Sequence, residues 1–149
     1  MPKLELTVPV VVDTTPTRAF DFFADHRHVA RVLEGVNRWE PIGTQTQGVG
    51  ARYAVEMLAL GFPLRSVLRL DRWRRGHEIG WVSESGLIKQ SGGFTFERAG
   101  KGVRITLHIE YEPPASIVGA TVARTLDGFV RHRLETAMRN IKATLESTP

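Results

Sequence analysis

The residues of this chain that could do chemistry are scattered, and no local spacing joins them into a catalytic set. The five histidines are His26, His28, His77, His108 and His132. His26-Arg27-His28 is not a zinc spacing that a third ligand completes. His108 shares a strand face with Arg104, Thr106 and Glu110, which puts it on the polar side. No metal site and no cofactor are expected. Cysteine is absent, so neither thiolate nucleophiles nor disulfides enter. There is no G-x-S-x-G elbow, and the glycine pairs lack the strand-loop-helix context of a phosphate cradle. No catalytic residue is assigned.

What remains is a set of side chains that period-two alternation places on one face of successive strands. Tyr53, Val55, Met57, Ser66, Leu68, Leu70, Ile79, Trp81, Gln90, Phe94, Phe96, Ile105, Leu107, Ile109 and Tyr111 share the inward parity. The set is apolar with a few polar tips: two phenols, one hydroxyl, one amide and one indole. That is the make-up of a small-molecule site, an apolar lining with a handful of orienting groups.

These strands need a partner to cover them. The stretch from Ser116 to Leu145 supplies it, with Val118, Val122, Leu126, Phe129, Val130, Leu134, Ala137, Ile141 and Leu145 at steps of three and four. At about 100° per residue they form one apolar stripe of a long helix. Pro113-Pro114 block a helix upstream, and Ser116 is the expected N-cap. Arg133 falls at the edge of the stripe, between Phe129 and Ala137. Its guanidinium either runs out to solvent along its own stem or turns inward to meet a ligand carboxylate or carbonyl.

Ahead of the helix the chain reads as strands. Leu4, Leu6, Val8, Val10 and Val12 alternate with more exposed positions, and Pro9, which cannot donate to a ladder, predicts a bulge or an unpaired position. Thr15-Pro16 opens a short helix carrying Ala19, Phe20, Phe22 and Phe23. A second short helix is predicted from His26 to Leu33, with Gly35 as its left-handed cap. From Val36 to Tyr111 about six strands succeed one another through glycine-bearing turns. Neighbours joined by short turns pair antiparallel. A sheet with one apolar face and one long striped helix has an economical solution: the sheet curls around the helix. The two surfaces cannot meet everywhere, and a pocket opening near the short helices is the expected consequence.

The segments V-P-V-V-V-D-T-T-P-T-R-A-F-D-F-F-A-D-H, V-L-E-G-V-N-R-W-E-P-I-G and G-V-G-A-R-Y, with the closing helix, resemble the START and Bet v 1-like (SRPBCC) superfamily. The similarity is strongest to its polyketide cyclase/dehydrase and coenzyme Q-binding branch. It implies an α+β helix-grip fold: a curved antiparallel sheet of about seven strands around a long C-terminal helix, with two short helices after the first strand. One domain over residues 1–149 is expected. The resemblance also implies that a hydrophobic small molecule such as a lipid, quinone or aromatic polyketide is carried or sensed in the cavity. The alternative it leaves open is a polyketide aromatase/cyclase acting there. The ligand-contacting residues expected are Tyr53, Met57, Ser66, Leu68, Trp81, Gln90, Phe94, Leu107, Ile109, Val122, Leu126 and Arg133.

Charge and hydropathy narrow the partners. Net charge is +4, and the densest basic run is R-L-D-R-W-R-R-G, residues 69–76. So short a run reads as a solvated strand end with Asp71 and Glu78 as partners, so no nucleic acid is expected. The first residues, M-P-K-L-E-L-T-V, lack a signal-peptide core, and no stretch reaches about 18 apolar residues. A cytoplasmic monomer or homodimer without stable membrane insertion is the expectation.

Overall fold

Alternation in the first nine strand residues is realised without interruption. In the computed structural model, which describes residues 4–33, 35–59, 62–86, 89–112 and 120–147, β1 spans Leu4–Val12. Side chains at 59, 62, 120–123 and 126 are outside that description. Leu6, Val8 and Val12 are buried, while Glu5, Thr7 and Val11 are exposed. Pro9 makes no bulge; it sits in register opposite Thr106. The reason is that β1 is an edge strand, so a missing N–H on its open side interrupts no ladder. The Val11 carbonyl, two residues on and therefore on the same side, is taken by Lys142 Nζ at 2.8 Å rather than by a strand.

Thr15 caps α1 (Pro16–Ala24) by accepting from the Arg18 N–H at 3.2 Å, and the proline at the first helical position loses no bond. Asp25 ends α1 and caps α2 (His26–Val32), accepting from Arg27 N at 3.0 Å and from the Arg27 guanidinium at 2.7 Å. That guanidinium holds the Asp25 carboxyl well below the usual carboxylate range. Because the folded form binds its proton more weakly than the unfolded chain, the cap's contribution is present above about pH 4 and fades as pH falls. Asp25→Ala is expected to cost about 1 kcal/mol at neutral pH. In urea titrations the gap to wild type should close in acid; a gap independent of pH would deny the carboxylate its role.

The remaining strands are β2 (Val36–Ile42), β3 (Arg52–Ala59), β4 (Phe62–Arg74), β5 (Glu78–Gly86), β6 (Lys89–Ala99) and β7 (Gly102–Glu112). All pairings are antiparallel, in the order β1-β7-β6-β5-β4-β3-β2. α1 and α2 carry the chain from one sheet edge to the other. Phe20 meets Trp73 and Phe96 edge-on, and Phe23 stacks on Phe94 at 4.2 Å. The long helix α3 (Ala120–Ser147) buries Leu134, Ala137, Met138, Ile141 and Leu145. The expected N-cap Ser116 and the Pro113-Pro114 break lie outside the described residues.

β4 departs from simple alternation. Leu70 faces Trp81 and Arg72 faces Gly80, which leaves Asp71 without a partner on β5. Two residues opposite one reverse the parity of the rest of the strand. Trp73 therefore turns inward onto Phe20, while Arg72 lies outside, bonding Glu78 at 3.3 Å and the Gly92 carbonyl at 2.8 Å. Asp71 and Glu78 do pair with the arginine run as expected, and the tryptophan is not interleaved with it.

Candidate functional site

A cavity of about 110 Å³ separates the concave face of the sheet from the middle of α3. Each wall has a simple origin in the sequence. Inward positions of β3 and β4 bring Val55, Met57, Leu64, Ser66 and Leu68 to it; β5, β6 and β7 bring Trp81, Gln90, Phe94, Leu107, Ile109 and Tyr111. The helix closes it with Phe129, Val130, Arg133, Leu134 and Ala137. The turn after α2 and the start of β2 add Leu33, Val36 and Trp39. The cavity reaches the short helices only at Leu33, the C-cap of α2; Phe23, Ala24, His26 and Val29 border the smaller void instead.

Nine of the expected contact residues line this space: Met57, Ser66, Leu68, Trp81, Gln90, Phe94, Leu107, Ile109 and Arg133. Val122 and Leu126 lie on α3, with side chains outside the described set. Tyr53 is inward and buried but does not reach the cavity. It borders a separate void of about 20 Å³, behind a partition formed by Trp39, Trp81 and Phe94. Trp39 stands edge-on to Trp81 at 6.1 Å, and Trp81 leans on Phe94 at 5.7 Å. The Tyr53 hydroxyl donates to the Thr46 carbonyl, which holds the ring on the far side.

Burial pushes the Tyr53 phenol up to about 12 and also raises that of Tyr111, where Asp127 adds to the effect. The unfolded chain loses these protons near pH 10, before the folded protein does. Stability is therefore fully present below about pH 10 and is lost as pH rises through about 12. Tyr53→Phe should flatten that fall in alkaline urea melts; an unchanged slope would mean that the phenol is not desolvated.

The polar groups of the wall are few. Arg65, at the rim, pairs with Glu56 at 3.4 Å and is largely exposed. The Tyr111 hydroxyl donates to Asp127 Oδ1 at 3.3 Å, tying β7 to α3. Arg133 is half-buried: its guanidinium carbon lies 4.9 Å from the Phe129 ring centre, and its fork packs against Gly35. A Cβ on Gly35 would stand 2.8 Å from Arg133 Nη1, and the φ of +85° there favours glycine in any case. Arg133 thus packs on Phe129 and Gly35 while lining the cavity. Among the described lining residues there is no carboxylate and no histidine.

Residues that the sequence reading missed fall into two groups. Leu33, Val36 and Trp39 belong to the turn and edge strand after α2, where alternation is too short to show a face. Asp127 is the other: Tyr111 was read as inward, but its bond to Asp127 depends on how α3 lies against β7, which no local spacing reveals. On the outer face, the β1–β7 register brings Glu5, His108 and Glu110 within 4.8 Å of one another, with Thr7 Oγ1 on His108 Nδ1 at 2.9 Å. That partly exposed cluster does not line the cavity, and we assign it no role there.

Comparison with known proteins agrees with this architecture. TTHA0849 from Thermus thermophilus superposes with a TM-score of 0.85 at 18% identity, covering 98% of this chain and 100% of that one. Zhui aromatase/cyclase from Streptomyces sp. R1128 gives 0.79 at 14% identity, over 97% and 94%. Ginseng major latex-like protein 151 from Panax ginseng gives 0.70 at 12% identity, over 95% and 97%. At these identities the likeness speaks for the fold. No curated protein matches the sequence. No described helix is long and apolar enough to cross a membrane. The family model for polyketide cyclase / dehydrase and lipid transport matches residues 3–146, so the chain belongs to that family, within the SRPBCC/Bet v 1-like superfamily.

Proposed function

We propose that the protein binds a hydrophobic small molecule, such as a lipid, quinone or aromatic polyketide, between sheet and helix, and carries or senses it. The observation that supports this most is the cavity itself, an apolar space with a few polar groups at its rim and wall. Packed interiors rarely leave voids larger than a water, and filling this one would stabilise the protein. Its persistence is better explained by a ligand than by poor packing. Met57, Ser66, Leu68, Trp81, Gln90, Phe94, Leu107, Ile109 and Arg133 are the described contacts we assign to it. We read the protein as one domain, a cytoplasmic monomer or homodimer.

Polyketide cyclisation in the same cavity is the second reading, favoured by the family and by the phenol of Tyr111 in the wall. It ranks lower because acid–base catalysis wants a convergent proton donor and acceptor. The Tyr111 hydroxyl proton is already directed at Asp127. Titration with acyl-chain and flat aromatic probes, read by tryptophan emission, tests the first reading. The response should survive Trp73→Phe and vanish when both Trp39 and Trp81 are replaced by phenylalanine. A response carried by Trp73 would move the site out of the cavity.

A further inference from the structure

Glu5, His108 and Glu110 converge on the outer face of the sheet, although no sequence spacing joins all three. The β1–β7 register sets Glu5 directly across from Glu110, and Thr7 across from His108. Outward parity gathers both carboxylates and the imidazole on one patch. One ligand atom from each lies within 4.8 Å of the others. Like charges directly opposite on neighbouring strands weaken the pairing. Among the described residues neither carboxylate pairs with a lysine or an arginine.

The surrounding strands do not neutralise the patch. On β6 the residues opposite Glu110 and His108 are Ser91 and Gly93, both uncharged, and Gly93 has no side chain to crowd the imidazole. Lys89 stands further along, opposite Glu112. Arg72 comes as far as the Gly92 carbonyl at 2.8 Å, but its ionic partners are Glu78 at 3.3 Å and Asp71 at 3.4 Å.

The imidazole is better placed for a metal than for a salt bridge. Thr7 Oγ1 meets His108 Nδ1 at 2.9 Å, which orients the ring and turns Nε2 toward Glu110 Oε1 at 3.5 Å. A charge-assisted hydrogen bond would measure about 2.7–2.9 Å. Two ligands each about 2.1 Å from a tetrahedral ion stand about 3.4 Å apart, close to the separation found. With its Nδ1 proton given to Thr7, the ring leaves an Nε2 lone pair facing a carboxylate, an arrangement that a cation between them satisfies. Metal-binding histidines are held in this way, through the second ring nitrogen. Imidazole with carboxylates suits zinc-class ions, whereas Ca²⁺ and Mg²⁺ take oxygen ligands. Three protein ligands leave a fourth position for water.

We propose that Glu5, His108 and Glu110 bind a divalent transition-metal ion of the zinc class, clipping the edge strand β1 to β7. The site is independent of the cavity and of the ligand assigned to it. The competing account is a protonated His108 that balances the two carboxylates without a metal.

Titration of the untagged, chelator-stripped protein with ZnCl₂ decides between them. One zinc ion per chain is expected to bind. The ¹⁵N imidazole signals should show the change at His108 Nε2, with the other four histidines unmoved. His108→Ala, Glu5→Gln and Glu110→Gln are each expected to weaken binding more than about tenfold, and Thr7→Val by about tenfold, with Thr7→Ser restoring it. Zinc should raise the urea midpoint of the wild type and leave that of His108→Ala unchanged. MgCl₂ at the same concentration should do neither. Zinc that binds His108→Ala as tightly as wild type overturns the proposal, as does unchanged affinity in either carboxylate variant. A His108 signal that follows pH and ignores zinc also overturns it, in favour of the protonated histidine. Because that signal is read in the wild-type protein, a variant that folds poorly does not decide the outcome.

Discussion

Ile141→Asp is expected to remove about 4 kcal/mol or more of stability, the range of a charge buried without a partner. Ile141 has no solvent exposure and lies on the stripe of α3 that faces the sheet. A carboxylate there loses its hydration and finds an apolar surround. Against a typical domain stability of about 5–15 kcal/mol, such a loss leaves little or none. Asn140→Asp, one position away on the exposed face, should stay within about 0.5 kcal/mol of wild type. Equal urea midpoints for the two variants would contradict the placement of α3.

The second large effect is expected on binding rather than on folding. Ala137 is fully buried on α3 and borders the cavity. Ala137→Leu would project additional atoms into a space of about 110 Å³. Ligand affinity should fall by more than about tenfold, since one side chain then occupies the volume of the bound molecule. Stability should hold or rise by up to about 1 kcal/mol, because filling a void restores packing contacts. The two signs together are diagnostic. Lost binding with a large loss of stability would mean that the helix was pushed off the sheet. Unchanged binding would mean that the ligand sits elsewhere.

Much of this was legible because the inner face derives from parity alone. Leu68, Leu107 and Ile109 alternate cleanly, and their neighbours preserve the period. The cap at Thr15 carries local chemistry that needs no tertiary knowledge. Gly35 does take the left-handed backbone expected of it, but Leu33 rather than Gly35 is the C-cap of α2, and the cap at Asp25 was not read from the sequence. What was not legible depends on register between strands. The unpaired Asp71 reverses the faces of Arg72 and Trp73, and a strand read by itself gives no sign of it. Pro9 looked disruptive only because edge strands cannot be told from central ones by sequence. Tyr53 has the right parity for the cavity and misses it, because Trp39 and Trp81 stand between. Trp39 in turn arrives from an edge strand of seven residues, too short to announce its face. Side-chain size and the order of strands decide such matters, and neither is a periodicity.

The central claim is that a small apolar molecule lodges between the sheet and α3. Isotope-filtered nuclear Overhauser spectroscopy on the acetophenone-saturated protein tests it most directly. Contacts from the bound ring should reach the methyl groups of Leu68 on β4, Leu107 and Ile109 on β7, and Ala137 on α3, all around one cavity. Contacts confined to the exposed apolar side chains Val11, Ile42 and Val49 would place the molecule on the surface and contradict the account.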